Sequence, residues 1–385
     1  MAKNNVFNDA KDIVDLLFTK KKGPDKELLS EEPNDRVNVM LAGKTGVGKS
    51  TLINAIFGED FAETGVGAPV TQNLDLYEKD GVPLRIYDIK GLELDPAVQK
   101  NVRSEMGKLI KASLKTDDRN DDIHLLWYCI ASAGVRVEQF ELDFIKDLAK
   151  LIDVVVVITK SYDAEETRKL MSYIENEKER GALPIKAVVP VLAADRTIDG
   201  VVVKEKFGLK ELSELSYEML PEAQKRAFAA AQIVSVSLRK KASYSAIAMA
   251  SAAAAATGAI PIPIADALIL VPIQLTMLKG IANIYGVTFK DDDFTKMVSI
   301  IAPGITTKAG TTAVVSLLKL VPVVGIAASV ITGSVAAAIT AALGAAFQAA
   351  LENGFNKSDF SGTLPEEFTN ILKSVFNNSI KNIQP

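Results

Sequence analysis

"VNVMLAGKTGVGKSTLINAIFG", residues 37–58, passes from an apolar β-forming run through a glycine-rich loop into a run with helical spacing. The loop reads Gly-x-x-x-x-Gly-Lys-Ser from Gly43 to Ser50, in the strand-loop-helix context that the motif requires. Glycines allow successive backbone N–H groups to curl around phosphate oxygens, and the start of the following helix adds positive potential. The expected phosphate-binding residues are therefore Gly43, Lys44, Thr45, Gly46, Val47, Gly48, Lys49, Ser50 and Thr51. Lys49 is expected to reach the β- and γ-phosphates and to serve the reaction, and Ser50 to offer its hydroxyl to Mg²⁺. An ordinary glycine-rich turn is the bland alternative, and spacing and context together weigh against it.

Two further loops extend the pattern. RIYDIKGLE places Asp88 and Gly91 as Asp-x-x-Gly at the end of a strand; there the carboxylate can hold Mg²⁺ through water and the Gly91 N–H can sense a γ-phosphate. In FAETGVGAPVTQNLDLYE, Thr71 is placed to close over Mg²⁺ and the γ-phosphate, with Thr64 as the rival and a solvated loop threonine as the plain alternative. VITKSYDAE, residues 157–165, is similar to the Asn/Thr-Lys-x-Asp loop with which GTP-binding proteins read guanine, but its acid arrives one residue late, at Asp163. Lys160 can lie over the base unchanged. Asp163 either swings in to accept from the guanine N1 and N2 hydrogens or caps the helix that DAEE begins. In VPVLAADR, the backbone amides of Ala193 and Ala194 are candidates to donate to guanine O6.

With 385 residues and 48% apolar composition, the chain has room for two domains and is not a disordered one. A single cysteine, Cys129, and a single histidine, His124, exclude a Cys/His zinc site and any intramolecular disulfide, which points to a reducing, cytoplasmic setting. The polar, acidic start lacks the apolar core of a secretory signal. A net charge of −4 gives no basic field for nucleic acid, and none is expected as a partner. Apolar strands alternate with amphipathic helices from 36 to 235, whereas charge becomes sparse and alanine abundant beyond 242. The expected organisation is an amphipathic helix (5–19) and basic linker over 1–35, a nucleotide domain over 36–235 and a helical domain over 236–385. The expected fold class is α/β, a doubly wound, mainly parallel sheet with ligands at its carboxyl edge, plus an all-α, alanine-rich domain.

With these motifs in order, residues 36–235 resemble the Era-like and septin- or immunity-related GTPases of the translation-factor-related class. GKTGVGKSTLINAIFG, GVGAPVTQ, YDIKGLEL, LPEAQKRAFAAAQ and, later, IPIPIADALIL are similar to a group of bacterial GTPases with a C-terminal alanine-rich domain of unknown function. The resemblance implies GTP/GDP and Mg²⁺ as cofactors and GTP hydrolysis as the activity. Two departures temper it. Leu92 stands where Ras-like enzymes carry a water-orienting glutamine, and Gly46 where some relatives carry a K⁺-binding asparagine. Slow intrinsic turnover follows, unless Lys90, Glu93, Arg136 or a partner's side chain assists; surface charge is the simpler reading of each.

Residues 242–286 and 295–352 read as helical hairpins with proline corners at AIPIPIAD and LVPVVGIA. Asp266, after the first corner, is an expected N-cap. No ionisable side chain occurs over 320–351, a stretch longer than the roughly 20 residues that cross a bilayer. Its many small residues equally suit a self-burying bundle. The sequence thus leads to a GTP-driven switch on the helical domain. The alternatives are a membrane-binding or pore-forming effector gated by nucleotide, at the cytoplasmic side or within the inner membrane, and a nucleotide-bound scaffold without turnover. Expected partners are guanine nucleotide and, as open alternatives, a second copy of the chain or a membrane surface.

Overall fold

The computed structural model describes residues 35–58, 61, 68–71, 73–79, 82–90, 92, 96–116, 118–133, 137–257, 270–287, 289, 293, 297, 333–352 and 365–381. It divides into two compact units, Asn34–Leu238 and Arg239–Pro385. The expected helix over 5–19, both proline corners and Asp266 lie outside the described residues.

The first unit is a seven-stranded sheet in the order β2-β3-β4-β1-β5-β6-β7, with β1 at Val37–Ala42, β2 at Ala68–Thr71, β3 at Leu74–Glu78, β4 at Leu84–Ile89, β5 at Leu125–Ala131, β6 at Asp153–Thr159 and β7 at Ala187–Pro190. Strands β4, β1, β5, β6 and β7 run parallel, while β3 is antiparallel to both of its neighbours. The mainly parallel α/β architecture expected from the sequence is present. The composition of the central strands follows from position: VNVMLA in β1 is buried throughout, as is VVVVIT in β6, because helices cover both faces of a parallel sheet.

On one face, α2 (Pro96–Ser113), α3 (Gln139–Leu148) and α4 (Ala164–Glu179) bury Met106, Ile145 and Leu170 against Met40, Leu126, Val156 and Ile158. On the other, Phe57 of α1 (Lys49–Phe57) stacks on Trp127 of β5 at 5.9 Å and meets Phe228 of α6 (Glu222–Ala231) edge-on at 5.9 Å. The Trp127 indole N–H donates to Ser216 Oγ of α5 (Leu209–Met219) at 3.0 Å, so the one buried donor of that ring is satisfied. Between β7 and α5 stands a hairpin that the sequence reading leaves as loop, β8 (Arg196–Ile198) paired with β9 (Val201–Lys204). Asp199 and Gly200 both take positive φ at its tip, 51° and 80°, the conformation of a type I′ turn. Its strand residues are mostly exposed, which removes the in-out alternation by which strands are recognised.

The second unit contains α7 (Val236–Thr257, belonging to it from Arg239), α8 (Leu270–Ile284), α9 (Gly333–Leu351) and α10 (Glu366–Lys381). Phe347 and Phe368 cross edge-on at 6.0 Å inside a core that includes Ile247, Leu278 and Phe376. Small residues set the helix spacing: a Cβ at Gly344 would stand 2.6 Å from Ile247 Cγ1 and 3.0 Å from Met277 Sδ. Among the described residues no helix is long and apolar enough to cross a membrane; the first part of the 320–351 run lies outside them.

Phe57→Ala should destabilise the first unit by about 3–5 kcal/mol, since it empties an aromatic cluster that closes one face of the sheet. Trp127, the sole tryptophan, reports this unit alone, and its fluorescence during urea unfolding should show the lowered midpoint.

Candidate functional site

The loops that leave β1, β6 and β7 meet at the carboxyl edge of the sheet, where β4 also brings Asp88 beside Lys49. The first turns tightly because three of its glycines take positive φ: Gly43 (139°), Gly46 (78°) and Gly48 (104°). Gly43 has a second reason to be glycine, since a Cβ there would lie 2.3 Å from the Cys129 carbonyl oxygen of β5. Gly48, in the left-handed region, starts α1, and no side chain caps that helix, so its first N–H groups face the loop. Lys44 is anchored sideways, with its Nζ 2.5 Å from Glu138 Oε1 and 3.4 Å from Glu141 Oε2. Thr45, Ser50 and Thr51 are exposed, while Val47 is buried and its carbonyl accepts from Thr159 Oγ1 at 2.6 Å.

Lys49 and Asp88 face each other at the floor of the loop. The ammonium donates to the Gly43 carbonyl at 2.9 Å and stands 3.6 Å from Asp88 Oδ1, with the two side chains only 10% and 9% exposed. Asp88 reaches this position because its Cα pairs with Leu41, two residues before Gly43. Its Oδ1 is buried and accepts no hydrogen bond among the described residues. Burial pushes its carboxyl above the usual carboxylate range, against the pull of Lys49. Among the described residues no cluster of three or more His, Cys, Asp or Glu could hold a metal. Mg²⁺ needs no such cluster, since it commonly keeps several waters and takes one or two carboxylates plus substrate phosphates. A buried carboxylate oxygen with no hydrogen bond among the described residues, beside a phosphate loop, fits that role.

The loop after β6 holds the base-reading candidates. Thr159 ties it to Val47, and Lys160, in the left-handed region at φ 51°, lays its stem beside Gly48 and donates to the Gly46 carbonyl at 2.5 Å. Ser132 Oγ donates to the Lys160 carbonyl at 2.7 Å. A cleft of about 340 Å³ is lined by Gly48, Thr51, Lys160 and residues 192–197, so Ala193 and Ala194 share it with Lys160. Asp163 is elsewhere. Its Oδ1 accepts from the Glu165 and Glu166 N–H groups at 2.8 and 2.9 Å as the N-cap of α4, and these bonds hold its carboxyl below the usual range. It is absent from the lining of the cleft.

Of the remaining candidates, Thr71 contributes its backbone to β2, and its side chain lies outside the described residues, as do Gly91, Thr64, Glu93 and Arg136. Lys90 is engaged with Asp75. Leu92 is fully buried and packs into the core beneath the sheet. The Thr159 hydroxyl, Asp195 and Arg196 lie within VITKSYDAE and VPVLAADR but carry no local signal of their contacts.

Residues 38–178 match the family described as 50S ribosome-binding GTPase, and residues 222–378 match a domain of unknown function. The chain is similar to GTPase Der of Dinoroseobacter shibae, 32% identical over 136 residues, covering 34% of this chain and 26% of Der. It is also similar to neuronal-specific septin-3 of Danio rerio, 24% identical over 147 residues, covering 32% of this chain and 41% of the septin. Among solved structures, the translation elongation factor SelB of Methanococcus maripaludis in complex with a GTP analogue matches 48% of this chain and 34% of its own at 18% identity and a TM-score of 0.30. The chain thus spans less than half the length of these curated relatives. Residues 38–178 are a P-loop GTPase domain, and a domain of unknown function follows.

Gly43→Ala should abolish nucleotide binding and lower the melting temperature, because the new Cβ meets the β5 backbone at 2.3 Å and the φ costs of order 1–3 kcal/mol by itself. Gly46→Ala meets no atom within 4 Å and should cost only the left-handed strain, about 1–2 kcal/mol. Calorimetric titration with GDP, alongside a thermal melt, separates the two.

Proposed function

We propose that this chain, with its P-loop GTPase domain, binds GTP with Mg²⁺, hydrolyses it slowly and acts as a nucleotide switch on its helical domain. The observation that carries this reading is the buried pair at the floor of the phosphate loop: Lys49 stands 3.6 Å from an Asp88 oxygen that accepts no hydrogen bond among the described residues. In this reading the loop amides and α1's first turn bind the phosphates, and Lys49 turns from Gly43 toward the β- and γ-oxygens. Ser50, Thr71 and Asp88 would hold Mg²⁺, which when bound supplies positive charge for the developing phosphate oxygens. Gly91 would sense the γ-phosphate through its N–H, and the segments around Thr71 and Gly91 would change position with nucleotide state. Slow turnover is supported by Leu92, whose buried alkyl chain offers no group to orient water. The output would be the helical domain's contact with a second copy of the chain or with a membrane surface, the latter suggested by the charge-free run 320–351.

Purified protein should bind GTP in micromolar or tighter fashion and release phosphate at roughly 10⁻³ s⁻¹ or slower in multiple turnover. Lys49→Ala should weaken binding at least about tenfold. Undiminished binding in that variant refutes the assignment.

Acidification provides a second check. A carboxyl whose pKa is raised by burial takes up its proton at a higher pH than an exposed aspartate, and the neutral form is a poor Mg²⁺ ligand. The Mg²⁺-dependent part of GDP affinity should therefore fade as pH is lowered while it is still above 3.8, the ordinary value. Asp88→Asn should show little Mg²⁺ dependence at any pH.

A further inference from the structure

The acid that arrives late in VITKSYDAE is spent on a helix cap, which leaves open how the base would be read. Asp195 is the only carboxylate among the residues that line the cleft. It directly follows Ala193 and Ala194, its Oδ1 accepts the Lys206 N–H at 2.6 Å, and its Oδ2 has no partner among the described residues. Lys160 and Tyr162 line the same cleft, and the Arg196 guanidinium sits 5.0 Å from the Tyr162 ring centroid. The β8–β9 hairpin and the residues just after it brace both sides. Arg196 presses on Tyr162, Lys204 Nζ donates to the Ser161 and Tyr162 carbonyls at 2.9 and 2.8 Å, and the Lys206 amide fixes Asp195. Planar walls for stacking and one oriented carboxylate are what a base with two adjacent N–H donors requires.

We propose that Asp195, held in place by this hairpin, is the carboxylate that accepts the N1 and N2 hydrogens of guanine, in place of Asp163. This rests on the guanine-nucleotide reading given above. Adenine presents a bare nitrogen at N1 and no amine at C2, so it leaves the carboxylate desolvated and unpaired. Xanthine keeps N1–H but carries a carbonyl at C2, which a carboxylate repels and an amide accommodates.

The test is calorimetric titration of the full chain with GDP, inosine diphosphate and xanthosine diphosphate. Asp195→Asn should weaken GDP about tenfold or more and strengthen xanthosine diphosphate by a similar factor. Asp163→Asn, an equally competent helix cap, should leave the ratio within about twofold. In Asp195→Ala, GDP and inosine diphosphate should bind alike, because the N2 amine has lost its acceptor; this variant serves if the asparagine one fails to fold. An unchanged GDP to xanthosine ratio in Asp195→Asn, retained preference for GDP over inosine diphosphate in Asp195→Ala, or an exchange of preference in Asp163→Asn overturns the assignment. Failure of the unaltered chain to bind any of the three nucleotides refutes the guanine-nucleotide reading itself, and this assignment with it.

Discussion

Everything at the carboxyl edge of the sheet is arranged around two buried charges, Lys49 and Asp88, that approach to 3.6 Å without a hydrogen bond between them. Desolvating an ion pair costs more than its attraction returns unless the remaining donors and acceptors are satisfied, and among the described residues Asp88 Oδ1 accepts no hydrogen bond. Such a pair is poor evidence of a device for stability. The cost is carried by the sheet: β1 and β4 bring the residues together through the register Leu41↔Asp88, and β1 is buried along its whole length. An incoming phosphate and its cation would supply the missing partners to both side chains, so the same geometry that weakens the free chain would favour the loaded one.

The loop after β6 shows the same economy on a smaller scale. Thr159 hooks the phosphate loop through Val47, Ser132 fixes the Lys160 carbonyl, and Lys204 draws in the next two carbonyls. The chain therefore holds Lys160 at a positive φ that few residues adopt, and it does so with side chains from three separate segments. Asp163 is left free to serve α4, where its two amide bonds are local and cheap to make.

The parts legible in the sequence were those with a local physical cause. Gly43, Gly46 and Gly48 announce a loop that only glycine can trace, and the valine run of β6 announces a strand buried on both faces. What was not legible was written in contacts distant along the chain. The β8–β9 hairpin hid because its strands face solvent, although Asp199-Gly200 was a fair turn signal. Asp195 hid because nothing in VLAADR says that Lys206 would orient its carboxylate or that Arg196 would settle on Tyr162. Asp163, by contrast, was written twice, once as a late motif acid and once as a helix cap, and a sequence cannot say which use the backbone will choose.

The alanine-rich domain illustrates the same point through composition. Hydropathy alone treats a run of Ala, Gly and Val as equally suited to lipid and to a protein interior, because transfer scales reward the loss of charge without asking what replaces water. Packing does ask. At Gly344 the neighbouring helix approaches so closely that a single methyl would collide with Ile247, and Ala342, Ala346 and Ala350 are buried along the same helix. Small side chains in these positions gain their stability from dispersion between closely spaced backbones, supplemented by a few large anchors such as Phe347, Phe368 and Phe376. Such shape-matched faces serve helix against helix in water and in lipid alike. In the described part of this domain, they are where the helices meet.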